Sequence, residues 1–137
     1  MDRYYRTLDT EGVDALHRYW STTCEFAAPG ARGRGPDLIR GWIRIFCDAN
    51  PGYLHTVIDS VEGGDTIALE LMVEATFTAP LRLPAGDISP TGKAWRLPIC
   101  VVVRFGAGVF TSYHIYFDTG DLLREMGVTV APEPAIA

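Results

Sequence analysis

Between Trp95 and Phe105 every second residue is large and apolar: Trp95, Leu97, Ile99, Val101, Val103 and Phe105. The same alternation runs through 66–78 as Ile67, Leu69, Leu71, Val73, Ala75 and Phe77, and through 109–118 as Val109, Thr111, Tyr113, Ile115 and Phe117. Side chains alternate across a strand, so each run predicts one apolar face. The interleaved positions carry Glu70, Glu74, Arg96, Arg104, Ser112 and His114. Burying a bare carboxylate is far more costly than burying a leucine, so the apolar sets are expected to face inward. A fourth strand is predicted over 53–62, with Tyr53, His55 and Val57 on one face. Gly63-Gly64-Asp65 and Gly106-Ala107-Gly108 read as the hairpin turns.

Ahead of these strands the period changes. A short helix over 2–9, with Asp2 as cap, is followed by one over 11–20 whose Val13, Leu16 and Trp20 recur at helical spacing. Cys24–Ala28 reads as a short strand ending at Pro29-Gly30. A third helix opens at Pro36, carries Leu38, Ile39, Trp42, Ile43 and Phe46, and stops at Asn50-Pro51-Gly52. A loop of about fifteen residues holding Pro80, Pro84 and Pro90 separates the second and third long strands; loops of that length usually serve function. Asp118 is placed to cap a closing helix. Helices first and an antiparallel meander afterwards predict an α+β fold. Residues 1–128 are expected to form one domain, and 129–137 a disordered tail.

Composition narrows the function. The 137 residues carry a net charge of −5 and are 47% hydrophobic, which suits one globular domain and disfavours a nucleic-acid partner. The Arg residues at 32, 34, 40 and 44 read as a solvated loop and helix face. No apolar run of about 18 residues exists and no apolar segment follows Met1-Asp-Arg, so neither a membrane span nor a signal peptide is expected. Cys24, Cys47 and Cys100 lack zinc spacing and read as reduced thiols of a cytoplasmic protein, with no metal and no cofactor. Glu70 and Glu74, about 13 Å apart along a strand, are too distant for the carboxylate pair of glycoside hydrolysis.

Several stretches share an order and spacing with a known family. Ala75-Thr-Phe-Thr-Ala-Pro80 stands where that family commonly reads Gly-Thr-His-Thr-Gly-Pro. Pro90-Thr-Gly92, Arg104-Phe105, Tyr116-Phe-Asp118 and Leu122-Leu-Arg-Glu-Met-Gly127 follow in register. Over about residues 10–127 the chain resembles the SnoaL-like polyketide-cyclase branch of the nuclear-transport-factor-2-like superfamily. The resemblance implies a curved, mostly antiparallel sheet wrapped around N-terminal helices, a deep apolar pocket at the open end of the cone, and a homodimer paired through the outer sheet face. It also implies a range of activities: ketosteroid isomerases, aldol-type and pyran-forming cyclases, epoxide hydrolases, dehydratases and proteins without catalysis. Where such cyclases and epoxide hydrolases place an aspartate base, this chain has Ile115. Ala28 occupies the isomerase base position, and Val101 the position of the donor on the penultimate strand.

Five polar residues remain candidates for chemistry. Tyr4, on a helix resembling the one that delivers the isomerases' phenol, and inward Tyr113 could each donate a hydrogen bond to an oxyanion. His55 could shuttle a proton. His114 and Asp118, about 13 Å apart along the strand, could not pair with each other, and His114 and Tyr116 would face the pocket only if a bulge inverted the strand end. The expected pocket wall comprises Trp20 and Trp42 from the helices, Tyr53, Leu71 and Val73 from the first long hairpin, and Trp95, Val101, Ile115, Tyr116 and Phe117 from the second. Two functions fit these residues. One is a cofactor-free cyclase or isomerase of a bulky apolar, polyketide-like intermediate, closing a ring or opening an epoxide by holding the substrate folded. The other is a non-catalytic small-molecule-binding or scaffold protein of the same fold.

Overall fold

The computed structural model describes residues 1–129, so the tail expected over 129–137 lies, but for Thr129, outside the described residues. Helix α1 (Asp2–Glu11) leads through a 3-10 turn (Val13–Tyr19) into β1 (Trp20–Ala28) and β2 (Ala31–Arg34). Helix α2 (Pro36–Ala49) follows, then the long strands β3 (Leu54–Gly63) and β4 (Thr66–Thr76). A small hairpin, β5 (Leu81–Leu83) and β6 (Gly86–Ile88), precedes β7 (Ala94–Gly106), β8 (Val109–Tyr116) and α3 (Thr119–Glu125). The second expected helix is thus a 3-10 turn, and Trp20 opens a strand. The proline-bearing loop folds part of its length into β5 and β6.

Six strands form one sheet in the order β2-β1-β8-β7-β4-β3, antiparallel throughout except that β1 and β8 run parallel. That parallel pair departs from the predicted meander. Periodicity reports which face of a strand is apolar and not which strand lies beside it.

Inward side chains form rows across the sheet. His55, Val73 and Leu97 make one row, Val57, Leu71 and Ile99 the next, then Leu69, Val101 and Ile115, and last Ile67, Val103, Tyr113 and Phe26. Register shifts in β1, β3 and at the β7–β8 turn mark bulges, which bend strands and strengthen their twist. The bulge at Arg104/Phe105 inverts the start of β8: Phe110 is buried and Thr111 exposed, against the simple alternation. Beyond it Tyr113 and Ile115 face inward as the pattern predicts.

The core lies between the sheet and the helices. Tyr4, Tyr5 and Leu8 of α1 and Ile39 and Ile43 of α2 pack on the last two rows. A second cluster of Ala49, Phe77, Leu81, Leu97, Leu122 and Met126 seats α3 and the small hairpin against the end of α2.

Candidate functional site

Where the helices diverge from the first sheet rows, a cavity of about 90 Å³ remains. Its wall is almost all carbon, and the lining side chains that carry a polar atom are Tyr5, Trp42, Cys47, His55 and Tyr113. An apolar cavity of roughly 150 Å³ holds one benzene, so this chamber is smaller than a single aromatic ring requires. The deep pocket implied by the resemblance is narrowed here by aromatic rings. Trp42, Phe46 and Phe117 close one side, with centroids 4.8 Å (Trp42–Phe46), 6.0 Å (Trp42–Phe117) and 6.2 Å (Phe46–Phe117) apart. The Trp42 indole is fixed there by donating to the Pro29 carbonyl at 3.0 Å.

The chemistry in this wall begins with a carboxylate–imidazole contact between α1 and β3. Asp9 Oδ1 lies 2.6 Å from His55 Nδ1, and Asp9 Oδ2 accepts the His55 backbone N–H at 2.8 Å. Both side chains are nearly enclosed, 8% exposed for Asp9 and 11% for His55. A carboxylate at Nδ1 holds the proton on that nitrogen and leaves Nε2 with its lone pair free, the arrangement of a general base. The ring is held on two further sides. Tyr5 stacks on it at 5.1 Å, and Tyr53 meets it edge-on at 5.8 Å while donating its hydroxyl to the Leu8 carbonyl at 2.9 Å.

Tyr5 also joins the histidine to a set of phenols. Its hydroxyl lies 3.0 Å from that of Tyr113. Behind them Trp20 Nε1 donates to the Tyr4 hydroxyl at 3.2 Å. Burial raises the phenols of Tyr4 and Tyr5 well above their ordinary range. Burial also pushes Tyr113 up to about 12, while the Tyr4 and Tyr5 hydroxyls act to lower it. All three stay protonated at neutral pH, so they are hydrogen-bond donors without charge. Burial likewise pushes the Cys47 thiol up to about 12, which makes it a poor nucleophile.

The structure gathers six of the predicted residues around the chamber: His55, Tyr113, Trp42, Val73, Ile115 and Phe117. Tyr53 supports it through the His55 ring. The others lie elsewhere. Tyr4, Trp20, Leu71 and Val101 are buried in the core and do not line the chamber. Trp95 donates to Asn50 Oδ1 at 2.8 Å, outside the chamber wall. His114 and Tyr116 stand on the opposite sheet face, because the bulge that could have turned them sits at the far end of β8. There His114 Nε2 lies 3.3 Å from Glu25 Oε1 and its Nδ1 3.3 Å from the Tyr116 hydroxyl. Asp118 accepts the Asp121 N–H at 2.9 Å and caps α3 rather than facing the chamber. Among the described residues no three His, Cys, Asp or Glu side chains gather to hold a metal ion, and no helix is long and apolar enough to cross a membrane.

Sequence reasoning missed Asp9 and Tyr5, the residues that complete the site. One signal was present: Tyr5 and Asp9 are four apart, hence neighbours on one helix face. Nothing local placed that face against His55.

A curved, open sheet with helices packed on its inner face is the nuclear-transport-factor-2-like fold. The chain belongs to the SnoaL-like domain family, whose sequence profile matches residues 1–113. Solved structures share the architecture. A candidate SnoaL-like polyketide cyclase from Jannaschia sp. CCS1 is 11% identical with a TM-score of 0.76, covering 94% of this chain and 92% of that one. A Catenulispora acidiphila DSM 44928 protein with a ketosteroid isomerase-like fold, in complex with trimethylamine, is 16% identical with a TM-score of 0.74 and 96% coverage of both chains. A nuclear-transport-factor-2-like protein of unknown function from Burkholderia pseudomallei K96243 is 16% identical with a TM-score of 0.72, covering 91% and 93%. No curated protein matches the chain significantly.

Proposed function

We propose that the protein is a cofactor-independent enzyme that moves a proton at the carbon beside a carbonyl, isomerising or cyclising an apolar, polyketide-like intermediate. The observation that carries this reading is the enclosed Asp9–His55 pair, 2.6 Å apart, joined through Tyr5 to the Tyr113 hydroxyl on the wall of an apolar chamber. In the step it supports, His55 Nε2 takes the proton from the carbon α to the carbonyl. The C–H electron pair becomes the enolate double bond, and the charge that develops on oxygen is met by hydrogen bonds from Tyr113 and Tyr5. In an isomerisation the substrate is a β,γ-unsaturated carbonyl compound: its double bond shifts into conjugation as the proton returns from His55 to the γ carbon. In a ring closure the enolate carbon attacks a second carbonyl carbon of the same molecule, whose oxygen takes the π pair and then the proton from His55. General bases contribute roughly 10²- to 10⁴-fold to such steps, and loss of one oxyanion donor can cost about 10²-fold or more. A polyketide-cyclase neighbour and the family membership support the same class.

The alternative of a binding or scaffold protein draws on apolar Ala28, Val101 and Ile115, where the resemblance implies polar groups; the Asp9–His55 pair supplies acid–base chemistry from another part of the cone. Homodimerisation through the outer sheet face belongs to this proposal too, supported by Leu54, Ile58, Val61 and Tyr116, which are large, apolar or aromatic, and exposed.

Butan-2-one in D₂O tests the proton transfer, its α-proton exchange followed by proton NMR. The wild-type protein is expected to accelerate exchange, and His55→Gln to remove at least about 10²-fold of that acceleration. Asp9→Asn should lose part of it by releasing the tautomer. Acceleration that His55→Gln leaves intact would overturn the mechanism, and ketone binding with no exchange would favour the binding protein.

A further inference from the structure

Gly41 sits in the interior of α2, where glycine is a markedly poorer helix former than alanine. Crowding does not require it, since a Cβ built there meets nothing within 4 Å. Its φ is helical rather than positive, so backbone conformation does not require it either. What Gly41 does is form part of the floor of a second space, a groove of about 510 Å³ between α2, the Pro29-Gly30 turn and the Leu83-Pro84 end of β5.

This groove is mostly apolar. Leu38, Ile45 and Leu83 line it, the polar side chains are Asp37 and Thr119, and no lysine or arginine is present to receive an anionic group. Two residues, Trp42 and Phe46, line both the groove and the inner chamber. These two rings therefore border both spaces and stand between them. Trp42 is held by its hydrogen bond to Pro29, whereas the Phe46 ring makes apolar contacts alone: 4.8 Å to the Trp42 ring, 6.2 Å to the Phe117 ring, and packing on the second core cluster. Rotating a phenylalanine costs far less than breaking a fixed indole, so Phe46 is the movable part of the partition.

We propose that this groove is a tail subsite: it takes the uncharged apolar tail of a carbonyl compound whose head occupies the chamber beside His55, with Phe46 as the partition between them and Gly41 left bare so that the tail lies against the helix. The inference deepens the functional reading and rests on it for the head group. It also reconciles the two volumes. The 90 Å³ chamber is too small for a bulky intermediate, while the adjoining 510 Å³ is ample for a chain or ring.

The test is the chain-length dependence of ketone binding, measured by NMR titration of the folded protein with butan-2-one, hexan-2-one and octan-2-one. Each methylene buried contributes about 0.8 kcal/mol, so wild-type affinity for octan-2-one should exceed that for butan-2-one by at least about tenfold. Gly41→Leu fills the groove floor with a better helix former and should reduce that ratio to within about twofold without lowering the melting temperature. Leu83→Arg, on the opposite wall, should reduce the ratio in the same way and covers the case of a misfolded helix variant. Gly41→Ala should keep the ratio and raise the melting temperature. A wild-type ratio near one, or an unchanged ratio in folded Gly41→Leu and Leu83→Arg, overturns the subsite. Because binding is read apart from exchange, a failure of His55 chemistry with an intact chain-length ratio sinks only the proton transfer, and the reverse result sinks only the groove.

Discussion

The usefulness of His55 depends on which of its nitrogens is engaged. Both oxygens of Asp9 are spent on one residue, one on the ring and one on the backbone N–H, so the carboxylate fixes rotation and tautomer together. Tyr5 then bridges ring and phenol, stacking on the imidazole while its hydroxyl meets Tyr113. The paired hydroxyls of the core have different duties. Tyr4 accepts the Trp20 indole N–H and does not reach the chamber, whereas Tyr113 lines it. Tyr4→Phe should leave that indole donor unpaired in the core and destabilise the protein by about 1–3 kcal/mol, read as a lower urea midpoint. Tyr113→Phe should instead slow ketone α-proton exchange by at least about tenfold, near 1.4 kcal/mol of transition-state stabilisation. Equal effects of the two substitutions on exchange would contradict this division.

Elements matter here mainly through the places where they are irregular. Bulges in β1, β3 and at the β7–β8 turn bend the sheet around the helices, and the last of them decides that Phe110 rather than Thr111 enters the core. At that same hairpin Ala107 has φ +53° and Gly108 φ +81°. Left-handed backbone suits glycine and asparagine and disfavours alanine by roughly 1–2 kcal/mol. Replacing Ala107 by Gly should relieve most of this, less the greater freedom that glycine gives the unfolded chain. Ala107→Asn avoids that loss and is expected to be the more stabilising, by about 1 kcal/mol, measured as the shift in urea midpoint at constant m-value. No gain from either would mean that the turn is not strained.

Across the whole molecule, phenols and thiols are buried between the helices and the sheet, Cys24 in the core and Cys47 in the chamber wall. That burial ties stability to pH. Burial pushes Cys24 up to about 11, Cys47 to about 12 and Tyr113 to about 12, and raises Tyr4 and Tyr5 well above the ordinary phenol range. Unfolded thiols and phenols ionise near 9 and 10. Each raised group therefore contributes stability that is complete below the unfolded value and is lost as pH rises through the folded one. The melting temperature should hold to about pH 8.5 and fall between about pH 9 and 12, followed by circular dichroism in a reducing buffer. A flat profile to pH 11 would show these groups to be less enclosed than the structure has them.

Local pattern alone was enough for much of this protein. Alternation over 66–78 and 95–105 marked the inward rows of β4 and β7, the Pro36 start and Asn50 stop bounded α2, and the ordered motifs from Ala75 to Gly127 pointed to the SnoaL-like family. It also put His55 and Tyr113 on inward faces, because a period of two reports facing directly wherever no bulge intervenes. Tertiary structure decided the rest. Asp9 and His55 are 46 residues apart, Tyr5 and Tyr113 are 108 apart, and β1 meets β8 across most of the chain. No short-range periodicity encodes such pairings, since they depend on strand order and on where each bulge shifts the register. The same long-range packing set the division of space, burying Val101 and Leu71 in the core while leaving the chamber beside His55 and the groove bordered by Phe46 and Gly41.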